Sequence, residues 1–425
     1  MNASKVPVGW KRTTLGSCCD IVSGGTPSRD RSEFWNGAIP WVTPKDISGI
    51  AEPDFFDPPE AISELGLRNS SATVLPKGAV LFSSRAPIGL VAIAGRAMAT
   101  NQGFKSLVPG PELDGRFLYW AVRRMVPRIA SRGTGATFPE VSKAVMSEIE
   151  IAFPSDLDEQ RRIAAILDKA DAIRRKRRQA LAETETLLRA TFLDMFGDPS
   201  ACETRYPLIA VEELIDEQVI YEIQDGNHGE AHPKSADFVS AGIPFVTANL
   251  LRSGIIDLSI AKRLSDLWLK RLRVGFSKPG DVLLSHKGSI GFSAIVPETY
   301  DIIILSPQVT YYRLNTEKMM PSFLCSFFLT NYFQGKLAAA AEQSTRAYAG
   351  LQRQKTLSVF FPPFEEQKRF DAIAKIISSR KRCLDNYLKD SERLFHSLMH
   401  HIFIGDLNYG INNIDTMQGM SLNEG

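Results

Sequence analysis

Apolar positions follow two rhythms along this chain, and each rhythm is written twice. The first is short: β-branched and aromatic runs such as "AVLFSS", "LVAIA", "DVLLSH" and "VTYYRL", cut by "SGGTP", "PKG" and "KPGD". Runs of that length between Gly and Pro punctuators predict strands. "GRFLYWAVRRMVPRIAS" and "PSFLCSFFLTNYFQGKLAAAAE" carry apolar residues at helical spacing, so each strand-rich region also holds at least one helix. The second rhythm is long. From Asp156 to about Met195, Ile166, Ile173, Ala180 and Leu187 recur every seven residues, interleaved with Ala170, Arg177, Thr184 and Thr191. Asp156 and Glu159 suggest a capping box, and Gly197 with Pro199 a stop. Near the other end Ile373, Arg380, Tyr387 and Leu394 alternate with Ile377, Leu384, Ser391 and Leu398. Each stretch predicts a helix of about 38 residues, a rod of roughly 57 Å. Two imperfect heptad seams in one chain can pair with each other.

The helix openings are themselves near copies, "FPSDLDEQRRIAAILDKA" from Phe153 and "FPPFEEQKRFDAIAKIIS" from Phe361. The similarity extends upstream of both. "GAIPWVTPKDIS" at Gly37 returns as "AGIPFVTANLLRSG" at Ala241, and "LPKGAVLFSSRAPIGLVAIA" at Leu75 returns as "SKPGDVLLSHKGSIGFSAIV" at Ser277. The order is kept throughout. A period this long means two copies of one domain-plus-helix unit rather than a solenoid of small repeats.

Composition then narrows the class. The chain has 425 residues, 44% of them hydrophobic, enough for two or three domains with sizeable cores. No apolar run approaches the roughly 20 residues of a bilayer span, and the first residues show no secretory pattern, so a cytoplasmic protein is expected. Five cysteines without a CxxC pair read as reduced thiols rather than a disulfide frame or metal site. A net charge of +2 permits nucleic-acid binding without demanding it. No GxxxxGK[ST] occurs, and Gly24 and Gly25 read as a tight turn. "DPPE" at Asp57 and "FPPF" at Phe361 each supply only half of an amino-methyltransferase motif, and "HGEAH" at His228 lacks the PCxxC of a zinc deaminase. His396 and His400, four apart on the last helix, fit a helix C-terminus better than a metal site. No catalytic set, metal site or cofactor is expected.

With these motifs in hand, "GWKRTTLG", "SGGTP", "IPWVTPKDI", "GAVLFSSRAPIG", "TNQGF", "ATFPEVS" and "EQRRIAAIL", together with "DGNHGEAHPKS", "GIPFVTANLL", "GDVLLSHKGSIG" and "FPPFEEQKRF", the chain resembles the specificity subunits of type I restriction-modification systems. The resemblance covers about residues 7 to 407. It implies an α/β (α+β) fold with two mixed target-recognition domains, 1–155 and 199–361. Long helices over 156–198 and 362–407 would separate them and pair as an antiparallel coiled coil, giving a pseudo-two-fold repeat. A flexible tail would occupy 408–425. It further implies a non-catalytic subunit that reads a split sequence in double-stranded DNA, docks two modification (methyltransferase) subunits and, through them, restriction subunits. The second copy lacks "SGGTP" and carries "STRAYAG" in place of "GTGATFPE", so the two domains should read different sequences.

Base reading needs donors and acceptors on loops. In the first domain the candidates are Arg29, Lys45, Ser84, Arg85, Thr134 and Thr137; in the second, His228, Lys234, Asn249, His286, Lys287, Arg346 and Tyr348. Ser84-Arg85 and His286-Lys287 stand at equivalent places and lead the set. The run Arg174-Arg175-Lys176-Arg177-Arg178 reads as a solvated helix face, a grip on spacer DNA or a partner contact. Competing classes are a coiled-coil adaptor without nucleic-acid binding and a fused restriction enzyme with an embedded recognition domain. A fused enzyme would add a nucleotide or methyl-donor loop and a catalytic motif; a gel shift would separate the adaptor.

Overall fold

The computed structural model describes residues 7–135, 139–200, 205–228, 231–252, 254–342 and 348–404. Thr137, Arg346 and the tail expected over 408–425 lie outside the described residues. The chain divides into two compact units, residues 1–178 with 387–425, and residues 179–386.

In the first unit a five-stranded sheet has the order Cys19–Ser23, Lys105–Pro109, Val80–Phe82, Val91–Ala94, Asp54–Phe55. All its pairings are antiparallel except the last. A three-stranded sheet places Trp35–Val42 between Glu60–Ile62 and Ala99–Thr100. The helix Gly115–Ala130 begins where Asp114 accepts from the amides of Arg116 and Phe117. It buries Phe117, Trp120 and Val122 in a core with Val80, Phe82 and Leu107. Ile163, Leu167, Phe395 and Leu398 from the two long helices close that core.

The second unit follows the same plan. A four-stranded sheet runs Ile220–Asp225, Val309–Leu314, Val282–Ser285, Ser293–Ile295, and in a five-stranded sheet Ile243–Val246 pairs in parallel with Ile303–Leu305. The long apolar stretch after Met320 forms two helices, Pro321–Phe328 and Asn331–Glu342. Thr330 breaks it, its hydroxyl donating back to the Phe327 carbonyl and accepting from the Phe333 amide. Phe192 and Phe196 meet Phe323 and Phe370 in an aromatic cluster.

Both long helices are present, Leu157–Phe196 and Phe364–Ile404. They run antiparallel in each unit. In the first, Arg174 lies over the Phe395 ring and Arg178 meets Glu392 at 2.6 Å. In the second, Glu185 meets Lys381 at 2.8 Å and Phe192 meets Phe370. The seam follows the expected one in part: Thr184, Ile377, Ser391 and Leu398 are buried as expected. Ile173, Leu187, Ile373 and Tyr387 are exposed, whereas Gln160, Asp171, Arg174 and Lys381 are buried. Pairing that accepts polar residues inside cannot be located by apolar spacing alone. The capping box is also not formed: Asp156 accepts from the Asp158 amide, while Glu159 turns to Arg162.

The repeated "EQ" has a structural meaning. Fully buried Gln160 accepts from the Asp114 amide at 2.8 Å and donates to the carbonyls of Pro154 and Glu112 at 2.8 and 2.9 Å. Gln367 does the equivalent, accepting from the Met320 amide at 3.0 Å and donating to the Pro362 carbonyl at 2.9 Å. In each copy one amide side chain ties the incoming strand, the start of the packed helix and the start of the long helix.

Candidate nucleic-acid interface

The strands Val80–Phe82 and Val282–Ser285 deliver their successors to matching places. The Ser84 amide donates to the Gly103 carbonyl at 2.7 Å, and the Val141 amide donates to the Ser84 carbonyl at 3.0 Å. The His286 amide donates to the Gln308 carbonyl and the Ala349 amide to the His286 carbonyl, both at 3.0 Å. One residue on, Arg85 bridges to Glu140 and Lys287 bridges to Tyr348. The two leading loops are therefore the same loop, and each lies against a second one. In the first unit that is the pair Thr134 and Glu140, joined by backbone bonds of 3.0 and 2.9 Å. In the second it is the segment beginning at Tyr348.

The side chains differ where the backbones agree. Arg85, partly exposed, stands 3.7 Å from Glu140, which also takes Lys105 at 3.1 Å. Thr134 is exposed beside them. In the second unit Lys287 is exposed with its ammonium 5.7 Å from the Tyr348 ring centre. Lys45 and Asn249 are a further equivalent pair, exposed just after the strands Trp35–Val42 and Ile243–Val246. Exposed Lys234 caps a short turn through its amide and Asp237.

Two expected base contacts are corrected. Ser84 and His286 are both fully buried, because a residue that extends the strand's inward register faces the core. The Ser84 hydroxyl donates to the Gly103 carbonyl, and the Nδ1 of His286 bonds Thr310 at 2.7 Å. Burial holds the His286 pKa down to about 4, against the pull of Asp225. Arg29 is exposed but committed: its guanidinium grips Glu60 with both arms and lies 3.8 Å over the Trp35 ring. That partner holds the Glu60 carboxyl below its usual range. The basic run is likewise spoken for in the first unit, except for exposed Lys176. Arg174 and Arg175 meet buried Asp171, Arg177 donates to the Tyr387 carbonyl at 2.6 Å, and Arg178 meets Glu392.

Some neighbours of these loops carry no sequence signal of their own. Glu140 and Lys105 in the first unit, and Asp225 and Thr310 in the second, come to these loops through sheet register, Ser23 opposite Lys105 and Asp225 opposite Thr310. Gly24 and Gly25 are corrected too. A Cβ on Gly24 would lie 2.0 Å from the Asn101 carbonyl oxygen and one on Gly25 2.3 Å from the Ala72 nitrogen, so they serve close backbone approach. Gly226, 2.0 Å by the same measure from the Ser306 carbonyl oxygen, does this in the second copy.

The mixed α/β unit is present twice, and each copy presents the same loop pair with different polar side chains. Comparison with known proteins shows what the chain is similar to. Residues 7–183 match the type I restriction modification DNA specificity domain. The chain is 24% identical over 401 residues to the type I restriction enzyme MjaIX specificity subunit of Methanocaldococcus jannaschii, covering 89% of this chain and 90% of that one. It is 31% identical over 173 residues to the EcoR124I/EcoR124II specificity subunit of Escherichia coli, 39% of this chain and 41% of that protein. Among solved structures, the S subunit of the type I restriction-modification system from M. genitalium superposes with a TM-score of 0.58 at 16% identity, covering 95% of this chain and 97% of that one. Residues 7–183 thus match the type I specificity domain, and over nearly its whole length the chain is similar to type I specificity subunits. Among the described residues, no helix is long and apolar enough to cross a membrane.

Proposed function

We propose that this chain is the non-catalytic, sequence-reading subunit of a cytoplasmic type I restriction-modification complex. Its two domains, 1–155 and 199–361, each read one half of a bipartite double-stranded DNA target, with the helices over 156–198 and 362–407 as spacer. The observation that carries this reading is the duplicated loop pair, Arg85 with Glu140 and Thr134, and Lys287 with Tyr348, alike in backbone and unlike in side chains. Arg can bond a guanine edge with both arms and Lys can reach the same acceptors. Lys45, Asn249, Thr134, Lys234 and His228 are exposed on the same domains and complete the described candidates. Methyl transfer is the work of two modification subunits, and restriction subunits join through them.

Exchanging residues 205–360 for the matching segment of another such subunit tests the reading. Sequencing of methylated sites should show one half of the modified motif changed and the other retained. Change in both halves would sink the two-reader arrangement.

At finer scale, Arg85→Ala should weaken cognate binding by about 1–3 kcal/mol and relax specificity in one half-site only, with Lys287→Ala acting on the other. If the contact is to phosphate, binding falls alike on all sequences and the salt slope becomes shallower by about one. Affinities for DNA altered in each half, at two salt concentrations, decide. No effect from either variant would remove this loop pair from the interface.

A further inference from the structure

The described residues of the second unit bring Asp225, His228 and His286 together so that one ligand atom from each lies within 4.8 Å of the others. His228 Nε2 is 3.2 Å and His286 Nε2 is 3.6 Å from the same oxygen, Asp225 Oδ2. Hydrogen-bond bookkeeping around Thr310 fixes the protons. Its hydroxyl has one hydrogen, and the carboxylate Oδ1 of Asp225, 2.5 Å away, can only accept it. The Thr310 oxygen then accepts from Gln354 Nε2 at 2.9 Å and from His286 at 2.7 Å, so Nδ1 of His286 carries the ring proton. The other nitrogen, Nε2, is buried without a hydrogen-bond partner, and in the neutral ring its lone pair faces the Asp225 carboxylate. Two electron pairs meeting in a buried place repel unless something positive stands between them.

The first unit shows what that can be. By sheet register Lys105 holds the place of Thr310, and Ser84 that of His286. There a buried lysine ammonium supplies the positive charge and meets Glu140 at 3.1 Å. The second unit has Thr310 instead of the lysine, and carries three ligand atoms.

We propose that Asp225, His228 and His286 bind a divalent transition-metal ion of the zinc class, with water completing its shell. Ligand bonds of about 2.0–2.2 Å in a tetrahedron put ligand atoms about 3.3 Å apart, close to the separations found. Two imidazoles and one carboxylate suit zinc or cobalt rather than magnesium or calcium. The bond from Nδ1–H through Thr310 to Asp225 orients both ligands from behind, as metal-bound histidines require. The site ties the His228 segment to the strands ending at Ser285 and starting at Val309. This inference does not depend on the DNA-reading proposal.

The test uses the full chain, stripped with a chelator and titrated with Co2+ by visible absorption, then with Zn2+ by metal content after gel filtration. One equivalent should bind, without the near-ultraviolet band of thiolate ligation. Both His228→Ala and His228→Gln, changes at an exposed loop residue, should weaken binding at least about a hundredfold. Zn2+ should raise the melting temperature of the parent and not of these variants. His232→Ala and the double variant His396→Ala/His400→Ala should still bind one equivalent. No binding by the parent, equal binding by the His228 variants, or a thiolate band would overturn the proposal.

Discussion

Replacing Phe192 with alanine should destabilise the second unit by about 3–5 kcal/mol, the usual cost of a fully buried phenylalanine. The side chain comes from the first long helix and is 1% exposed. Its ring centre lies 5.0 Å from Phe196, 5.5 Å from Phe323 and 5.4 Å from Phe370. Three helices thus share it, and their backbones cannot all move in to fill the space. Edge-on and tilted ring pairs add to the area term. Urea unfolding of the full chain, followed by circular dichroism, should show the transition of residues 179–386 moved to lower denaturant. A loss under about 1 kcal/mol would mean that the cluster can collapse around the gap.

The buried glutamines should show the second large effect. Gln160→Ala leaves one amide and two carbonyls without their partner in a buried place, each costing about 1–3 kcal/mol when unsatisfied, so a net loss of about 3 kcal/mol is expected. Gln367→Ala removes two such bonds and should cost somewhat less. The informative comparison is Gln160→Glu. It keeps the shape and the acceptor for Asp114, but turns a carboxylate oxygen toward the carbonyls of Pro154 and Glu112. It should destabilise at least as much as alanine at neutral pH. Melting curves in which glutamate is tolerated and alanine is not would make size, not hydrogen bonding, the requirement.

Much of this architecture was legible because it is written twice. The "EQ" repeat marked both long helices, and the matched "AVLFSS" and "DVLLSH" runs located the paired loops. What stayed hidden has physical reasons. Ser84 and His286 are polar residues that look like loop ends but continue an inward strand register. Asp171, Arg174 and Lys381 are buried charges, so an apolar pattern finds Ile377 and Leu398 but not the polar part of the seam. The "SGGTP" segment seems missing from the second copy only because Asp225-Gly226 does the backbone work of Ser23-Gly24 with another side chain. Asp225, His228 and His286 are brought together by strand pairing, which no local spacing encodes.

Asp171 and its arginines bear on how charge should be counted at the bench. A salt series on DNA binding measures counterions displaced by cations that reach phosphate. Arg178 and Glu392, both exposed, are screened over the roughly 8 Å Debye length of physiological salt, and their contact loosens in such a series. Arg174 beside Asp171, whose side chain is only 2% exposed, feels the ions little and contributes nothing to the slope. Neither the net charge of +2 nor the total of 50 lysines and arginines therefore forecasts how steeply binding falls with salt. The slope counts only those cations that face water and reach phosphate.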